Sequence, residues 1–515
     1  MGVGRSYCVA LVGLNGYIVE VEADIGQTLP NFVILGLPDA ALNEAKERIR
    51  SAAQNSGIPL SRRKITANLI PASLPKRGSG FDLAIAMAVL RAANDVRSIG
   101  RTVFIAELGL DGRLRPVRGI LPAVMAAVQA GYPDVVVAEA NAVEASLVPG
   151  ANVRGYKTLA RLAFDFGADP KELALDYDPG SGTLPGEDED VQGAVVPDLC
   201  DVSGQGEARR ALEVSAAGGH HMLLTGPPGA GKTMLAERLP GLLPDLADNA
   251  AMEVTAIHSL AAVQSSAVRL VRRPPFENPH HSATPAAIIG GGSGLPRPGA
   301  ASRAHRGVLF LDEAPEFERR VLDALRQPLE SGELVIHRSA GTAAYPARFQ
   351  LILAANPCPC GKASGKGMDC TCTAMMRRRY FGRMSGPLLD RVDIQLQVER
   401  VSLADFGQAG TDEEDTRTVA ARVLAARAIQ LDRLRYLGLE TNSQVPGRTL
   451  RGELRLPPGT TRILDTALER GTLTARGYDR VLRLAWTLAD LGHGGTPTAD
   501  HIGQALGLRQ TAAVT

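Results

Sequence analysis

Residues 221–233 read His-Met-Leu-Leu-Thr-Gly-Pro-Pro-Gly-Ala-Gly-Lys-Thr, and Met-Leu-Ala-Glu-Arg-Leu follows at 234–239. The apolar run before the glycines is typical of a buried strand, and the segment after them is typical of a helix. Glycines allow successive backbone N–H groups to face a phosphate, and the helix N-terminus adds partial positive charge. The order strand, glycine-rich loop, helix therefore predicts a phosphate-binding loop in an α/β fold with a parallel sheet.

The loop supplies the residues that we expect to hold ATP. We expect Lys232 to reach the β and γ phosphates, and the hydroxyl of Thr233 to bind Mg²⁺. A structural glycine turn without a ligand is the alternative for this motif taken alone. The expected binding residues are Gly226, Pro227, Pro228, Gly229, Ala230, Gly231, Lys232 and Thr233.

Two further apolar runs end in polar residues. Residues 308–311 (Val-Leu-Phe-Leu) precede Asp312 and Glu313, and residues 351–355 precede Asn356. Asp312 is suited to the Mg²⁺ shell, Glu313 to polarising the attacking water, and Asn356 to contacting the γ-phosphate or that water. Acids at a solvated strand end are the alternative interpretation.

Arg391 follows a short predicted helix in the segment Gly-Pro-Leu-Leu-Asp-Arg at 386–391. As an arginine finger it would reach the ATP of a neighbouring subunit and neutralise charge in the transition state. That role requires an oligomer. The alternative is an ion pair within the chain, to Asp390 or Asp393.

Length and composition set the broad class of the protein. At ~150 residues per domain, 515 residues predict about three folded units, and 45% hydrophobic residues are enough for a core in each. The 56 basic and 55 acidic residues nearly cancel, so bulk charge predicts neither a nucleic-acid partner nor its absence. Because no apolar stretch approaches ~18 residues and no signal peptide is evident, we expect a cytoplasmic protein without a membrane partner.

Changes in pattern along the chain predict its domain organisation. We expect a mixed α/β domain at 1–170, an acidic flexible linker at 171–196, the ATPase core at 197–400 and a helical C-terminal lid at 401–515. In the first domain we expect strands at 17–22, 32–35, 65–70, 103–106 and 135–138, and helices at 40–56, 82–93 and 121–130. The C-terminal helices are clearest at 420–434 and 477–491.

These motifs in this order resemble the ring-forming AAA+ ATPases, and longer strings resemble the Mg-chelatase-like competence family of ComM and YifB. The carrying strings lie at 202–220, 279–282, 290–292, 304–313, 325–330, 356–361 and 386–391. The resemblance implies a hexameric ATP-driven DNA motor, associated with branch migration in recombination and in uptake of DNA during natural transformation. It also implies a sensor arginine in the C-terminal helices, for which we choose Arg476, with Arg480 and Arg483 as neighbouring alternatives.

The same resemblance implies two elements that project into the pore of the ring. One is an insertion around 280–294, and the other is a β-hairpin at 333–349. The hairpin carries His337, Arg338 and Arg348 but also an acid, so only its tip is expected to be basic. A hairpin that packs on its own subunit is the alternative.

The first domain resembles the proteolytic domain of the Lon proteases. That family needs a serine activated by a lysine, but the serine position falls on Gly80 or its neighbours and the lysine position falls on Leu121. Ser79 lies beside the first position without a lysine at the second, so we expect a Lon-like domain lacking the catalytic pair. We expect this domain to serve subunit assembly or DNA contact through its basic residues, and the alternative is that they form a solvated face. The basic residues are Arg62, Arg63, Lys64, Lys76 and Arg77.

Four cysteines crowd into fifteen positions, as Cys358, Cys360, Cys370 and Cys372. Four thiolates suit a closed tetrahedral Zn²⁺ site, and the alternatives are free thiols or redox pairing. We expect such a metal to order residues 356–379 and to affect DNA engagement more than ATP binding. The run Arg-Arg-Arg-Tyr at 377–380 suits phosphate contact and base stacking, or alternatively a subunit interface.

The predicted function is therefore an ATP hydrolase that moves DNA. One alternative is a metal-chelatase motor subunit, which would drive Mg²⁺ into a porphyrin held by partner subunits. Another is an ATP-gated scaffold that moves nothing. Stimulation of ATP hydrolysis by DNA is expected only of the motor.

Overall fold

The computed structural model describes residues 2–27, 29–36, 40–76, 78–97, 99–177, 197–261, 269–292, 296–338, 341–363, 370–401 and 413–509. Most of the predicted linker, Arg77 and Gly294 lie outside these residues. The described chain has the predicted α/β architecture, with a parallel sheet at its centre and helices towards its C-terminus.

The N-terminal part is built on a seven-stranded mixed sheet, in the order β3-β4-β2-β1-β5-β8-β9. β1 and β2 form an antiparallel hairpin, and β5, β8 and β9 extend it in parallel. The strands, with the short ribbon β6–β7, are β1 (Gly4–Val12), β2 (Asn15–Ile25), β3 (Phe32–Leu35), β4 (Ile65–Ile70), β5 (Val103–Ile105), β6 (Glu107–Leu108), β7 (Leu114–Arg115), β8 (Asp134–Ala138) and β9 (Asn152–Tyr156).

Five helices cover this sheet: α1 (Ala40–Asn55), α2 (Asp82–Ala93), α3 (Ile120–Gln129), α4 (Glu139–Ala145) and α5 (Leu159–Asp165). A helical turn at Ser79–Phe81 leads into α2. Nearly every residue of α2 is buried, because the helix lies between the sheet and α1. Its apolar side chains therefore join those of the strands in one core.

The second sheet has five parallel strands in the order β11-β14-β17-β10-β18. Strands β10, β14 and β17 are buried along their whole length, as expected of a parallel sheet covered on both faces. The strands of this part, including the ribbons β12–β13 and β15–β16, are β10 (Met222–Thr225), β11 (Phe276–Glu277), β12 (Gly290–Gly291), β13 (Arg297–Pro298), β14 (Val308–Leu311), β15 (Glu333–Arg338), β16 (Gly341–Pro346), β17 (Gln350–Ala355) and β18 (Ile394–Gln397).

Alternate side chains of this sheet enter two different cores. Met222 and Leu224 pack towards α6 and α7, whereas Leu223 faces Phe317 and Leu322 on the other side. The helices around the sheet are α6 (Gly206–Gly218), α7 (Lys232–Leu242), α8 (Asp248–Ala261), α9 (Pro285–Ile289), α10 (Ala300–Arg303), α11 (Arg319–Ala324), α12 (Arg326–Ser331), α13 (Ala374–Phe381) and α14 (Gly386–Leu389). Helical turns lie at Leu199–Asp201 and Ala314–Glu316.

The C-terminal part is helical: α15 (Thr416–Leu434), α16 (Gly447–Arg451), α17 (Arg462–Glu469), α18 (Ala475–Leu491) and α19 (Ala499–Gly507), with helical turns at Arg435–Leu437 and Asn442–Gln444. Side chains cap the two long helices: Asp415 accepts the Thr418 N–H at 2.8 Å, and Thr474 accepts the Gly477 N–H at 3.1 Å. Both helices pack on α6 and share its core.

The β15–β16 hairpin packs against the N-terminal part. Ile336, Ala343 and Tyr345 are buried beside Leu14, in the β1–β2 turn, and Leu260 of α8. α3 packs on α8 nearby. The hairpin therefore rests on its own subunit over most of its length, as the alternative interpretation held.

No helix in the described ranges has the length and apolar character needed to cross a membrane.

Candidate functional site

Three neighbouring strands carry the polar residues predicted for nucleotide binding. Because β14, β17 and β10 are adjacent and parallel, their carboxyl ends meet at one edge of the sheet. Asp312 and Glu313 follow β14, Asn356 follows β17, and the loop after β10 leads to Lys232 at the start of α7. The fold brings these predicted residues together.

The Lys232 ammonium lies inside the loop. Its Nζ donates to the carbonyl oxygens of Gly226 at 2.7 Å and Pro227 at 3.0 Å, and to Asn356 Oδ1 at 3.3 Å. Burial lowers the pKa of Lys232, and the nearby carboxylate of Asp312 acts in the opposite direction. A largely buried cation held mainly by neutral oxygens offers a strong site for a phosphate.

Close backbone approach shapes the loop. A Cβ on Gly226 would lie 2.2 Å from the Val398 carbonyl oxygen, because the Val398 N–H donates to Thr225 O at 2.7 Å and ties the end of β18 to that of β10. Gly229 and Gly231 have φ values of 76° and 83°, in the left-handed region that favours glycine. Glycine at these positions is therefore a requirement of the loop geometry.

Oxygen donors suited to a hard cation lie beside Lys232. Thr233 Oγ1 donates to Asp312 Oδ2 at 2.9 Å, and Asp312 Oδ1 accepts the Glu313 N–H at 2.9 Å. A hydroxyl and a carboxylate are the protein ligands that Mg²⁺ takes in nucleotide sites, with waters and phosphate oxygens completing the shell. These donors fit the metal that the resemblance implies.

Glu313 has a partner that the sequence did not assign. His281 Nδ1 lies 3.1 Å from Glu313 Oε2, and the His281 ring lies 4.1 Å from that of His280. Glu313 adopts a left-handed φ of 51° and begins a helical turn, which is a strained conformation for a residue with a side chain. The insertion before β14 thus contacts the candidate catalytic carboxylate directly.

Arg391 lies at the opposite edge of the sheet. It precedes β18, whose Ile394 pairs with Met222 at the start of β10, whereas the phosphate-binding loop follows the end of β10. Within the chain Arg391 pairs with Glu330 of α12 and donates to the Pro387 carbonyl oxygen. The predicted alternative was right about an internal ion pair but wrong about its partner, which is neither of the adjacent aspartates.

The three candidate sensor arginines differ in exposure. Arg480 is buried and donates to Val392 O at 2.9 Å, and Arg483 donates to Val445 O at 2.9 Å. The Arg476 side chain is 74% exposed and pairs with Asp390 at 3.0 Å. Arg476 is therefore accessible at the surface, whereas the Arg480 guanidinium is buried within its own chain.

Arg476 and Arg391 occupy one face of the molecule. Burial lowers the pKa of Arg391, and the charges of Arg476 and Arg326 add to that effect. The cation cluster borders a cleft of about 950 Å³ between α12 and the C-terminal helices, lined by Arg391, Glu330 and Arg480 among others. This face lies at the amino-terminal ends of the strands, whereas the phosphate-binding loop lies at their carboxyl ends.

The four clustered cysteines lie next to the candidate nucleotide site. Their sulfur atoms are all within 4.8 Å of one another. Cys358 and Cys372 are buried, Cys370 is half-buried and Cys360 is exposed. The Gly361 backbone just after Cys360 packs on Pro228 of the phosphate-binding loop.

Helix α13 presents a basic surface beside this cluster. Arg377, Arg378 and Arg379 are exposed. Tyr380 is buried at the end of the helix, where burial raises its pKa to about 12 and the nearby Asn356 backbone acts in the opposite direction. The prediction that Tyr380 stacks on a base is therefore wrong, because its ring belongs to the core.

The two elements predicted to line a pore lie side by side. A Cβ on Gly290, in the insertion, would lie 2.8 Å from Ile336 Cδ1 of the β15–β16 hairpin. His337 and Arg338 are exposed at the outer end of that hairpin, and His337 Nδ1 lies 2.9 Å from Thr342 Oγ1. The positive charge is near the tip, whose residues 339–340 lie outside the described ranges.

In the N-terminal domain, Ser79 and Leu121 have surroundings unlike a protease site. Ser79 Oγ donates to Glu107 Oε2, and Leu121 is buried. Lys76 is fully buried with its Nζ on Pro71 O. Lys76 was wrongly included among the candidate DNA contacts, since its side chain lies in the interior on the Pro71 carbonyl oxygen and adds nothing to the exposed basic surface. Arg62, Arg63 and Lys64 are exposed, as predicted.

Three family descriptions match successive parts of the chain. "Subunit ChlI of Mg-chelatase" matches residues 21–141, "Magnesium chelatase, subunit ChlI" matches 198–406, and "Magnesium chelatase, subunit ChlI C-terminal" matches 413–509.

Curated relatives are similar over nearly the whole length of both chains. An uncharacterized protein of Mycobacterium tuberculosis is 50% identical over 517 residues, covering 100% of each chain. The competence protein ComM of Haemophilus influenzae is 39% identical over 512 residues, covering 99% of this chain and 98% of ComM. The uncharacterized protein YifB of Escherichia coli is 39% identical over 504 residues, covering 97% and 96%.

Proposed function

This chain belongs to the Mg-chelatase-like family of AAA+ ATPases that includes ComM and YifB, and from that membership we propose that it is an ATP-hydrolysing ring motor that moves DNA. The observation that carries the proposal is the meeting of Lys232, Thr233, Asp312, Glu313 and Asn356 at one edge of a parallel sheet. This is the set of groups that phosphoryl transfer requires.

Substrate binding and charge neutralisation fall to the loop. The backbone N–H groups of Gly229 and Gly231 and the N-terminus of α7 would face the phosphates of ATP, and Lys232 would exchange its carbonyl partners for β and γ oxygens. Thr233 and Asp312 would hold Mg²⁺, which would supply positive charge to the phosphates. The other cofactor of the proposal is Zn²⁺ at the four cysteines.

Glu313 and Asn356 orient the attacking water. Glu313 polarises it as the general base. Asn356, which accepts a hydrogen bond from Lys232, lies where it would contact the γ-phosphate. His281 holds the Glu313 carboxylate at 3.1 Å. Contact with the imidazole restricts the rotation of the carboxylate, so His281 is a positioning residue in this proposal.

Arg391 and Arg476 act on the ATP of a neighbouring subunit. Both lie on the face opposite the loop, at the other end of strands whose four residues span ~13 Å. A ring places this face of one subunit against the loop of the next. We therefore propose a homo-oligomer, a hexamer by family resemblance, in which each active site is shared between two chains.

DNA is the proposed partner because of the similarity to a competence protein over the full length and the exposed basic residues of the hairpin and α13. A metal-chelatase motor subunit is the alternative that the family descriptions favour. Both would hydrolyse ATP, so hydrolysis alone does not distinguish them.

The test is ATP turnover with and without single-stranded and branched DNA. We expect DNA to raise turnover of the parent protein, and Arg338→Ala to reduce that stimulation while basal turnover is kept. Arg470→Ala, an exposed arginine after α17, is the matched control. If neither DNA raises turnover above the basal rate, the motor proposal is refuted and the chelatase or scaffold reading takes its place.

A further inference from the structure

The sulfurs of Cys358, Cys360 and Cys370 lie close to the spacing of a tetrahedral metal site, and the Cys372 sulfur lies within 4.8 Å of each of them. With metal–sulfur bonds of ~2.3 Å, a tetrahedron puts its sulfurs ~3.8 Å apart. Cys358 Sγ lies 3.3 Å from Cys360 Sγ and 3.7 Å from Cys370 Sγ, and the last two sulfurs are 3.8 Å apart. A disulfide would need ~2.05 Å. The spacing favours one shared metal ion over redox pairing.

Each of the four cysteines offers one sulfur as a ligand, and Cys358 and Cys372 offer theirs from buried positions. Four sulfur ligands without an oxygen ligand or an open position suit structural Zn²⁺ better than Mg²⁺ or Ca²⁺.

The turn formed by residues 358–361 touches the phosphate-binding loop. Gly361 closes a turn in which its N–H donates to Cys358 O at 3.0 Å, with φ of 74°. A Cβ on Gly361 would lie 2.7 Å from Pro228 Cγ and 2.8 Å from its Cδ. The Gly361 backbone therefore packs directly on Pro228. This contact was not part of the sequence prediction, which separated the cysteines from ATP binding.

A second link joins the cluster to Asn356. Cys358 follows Asn356 by two residues, and α13 begins directly after Cys372 and its capping residue Thr373. At the far end of α13, the buried Tyr380 lies beside the Asn356 backbone. Cys358 and Tyr380 thus both lie next to Asn356, at the edge of the nucleotide site.

We propose that Cys358, Cys360, Cys370 and Cys372 bind one structural Zn²⁺, and that this zinc-bound turn supports the phosphate-binding loop at Pro228 and thereby ATP affinity. The inference rests on the proposed function only in taking that loop as the ATP site. Loss of the metal would leave the turn without its support for the loop. Part of the binding free energy of ATP would then be spent on ordering the loop, and the affinity for ATP would fall.

The metal is tested by elemental analysis of the full chain purified after expression with ample zinc. We expect one equivalent of zinc per chain, lost in Cys370→Ser and kept in Cys200→Ser, a cysteine outside the cluster. Iron in place of zinc, or no metal near one equivalent, would overturn the assignment. If Cys370→Ser does not fold, the metal content of the parent protein still decides.

The coupling is tested by titrating a non-hydrolysable ATP analogue with Mg²⁺. We expect Cys370→Ser and Gly361→Ala to bind it about tenfold more weakly, the equivalent of ~1.4 kcal/mol. Gly361→Ala should keep its zinc. Gly471→Ala is the matched control, because Gly471 has a similar φ of 70° with nothing within 4 Å of its added Cβ.

Unchanged affinity in both variants would refute the coupling even if zinc is present. Neither measurement uses DNA. A failure here is therefore distinguishable from failure of the DNA motor, which would leave zinc content and analogue affinity as stated.

Discussion

Arg391 provides the sharpest test of how the active site is assembled. Four-residue strands separate it from the phosphate-binding loop of its own chain by ~13 Å of sheet. If it neutralises transition-state charge in a neighbour, Arg391→Ala should lower turnover by ~10³-fold or more. Lys232→Ala, which removes the phosphate-binding cation, should also be inactive alone.

Mixing the two inactive proteins should restore activity. A junction is competent when an intact loop from the Arg391→Ala chain meets an intact arginine from the Lys232→Ala chain. In randomly mixed rings this holds for about a quarter of the junctions, whatever the ring size. We therefore expect about a quarter of parental turnover, measured as phosphate release, once subunit exchange is demonstrated by energy transfer between labelled chains.

The control mixes Lys232→Ala with Glu313→Gln. Both lesions lie at the same edge of the sheet, so no chain in that mixture has an intact loop side and recovery should be absent. If exchange occurs and the Arg391→Ala mixture releases no more phosphate than its components, Arg391 serves its own chain, as partner of Glu330.

Three further predictions follow from the same geometry. Glu313→Gln should still bind ATP but turn it over ~10²-fold more slowly or worse, which filter retention and phosphate release measure together; parental turnover would remove Glu313 as the base. Arg476→Ala should complement Lys232→Ala as Arg391→Ala does, and a failure would refute a role of Arg476 at the ATP of a neighbouring subunit. Burial lowers the pKa of His221 to about 4, and its Nδ1 accepts the Leu351 N–H at 3.0 Å. The pKa in the folded protein lies below the ordinary value of ~6.5. The contribution of His221 to the free energy of unfolding is therefore fully present above pH ~6.5 and is lost as the pH falls towards 4. Melting temperatures that do not fall between pH 7 and pH 5 would contradict this prediction.

Local sequence patterns predicted several strands and helices of the N-terminal part. The strands at 32–35 and 65–70 and the helix at 82–93 have the predicted bounds, because their periodicity agrees with their burial. The strand β1 was not predicted, although it lies between β2 and β5. Its apolar run begins only at Tyr7, after Gly4, Arg5 and Ser6, and only the fold supplies the Ala84 carbonyl oxygen that accepts the hydrogen bond of the Ser6 hydroxyl at 2.7 Å.

The sequence likewise predicted one part of the candidate site and not another. Spacing predicted which strand ends carry Asp312 and Asn356, since parallel strands end at one edge, although the roles of these residues stay predictions. The contacts of Glu313 with His281, and of Gly361 with Pro228, join residues far apart in the chain. No periodicity encodes such pairs, because they arise only when separate loops meet at the sheet edge.

The apolar contact between the β15–β16 hairpin and the β1–β2 turn limits how the protein can be dissected. Cutting the chain in the linker and expressing the ATPase part alone would uncover Ile336, Ala343 and Tyr345, which now lie beside Leu14. Exposed apolar side chains on a two-stranded ribbon favour aggregation and domain swapping. A truncated ATPase that lost DNA stimulation would thus report a damaged hairpin as readily as a missing domain, and full-length point variants are the sounder way to assign the N-terminal domain its part.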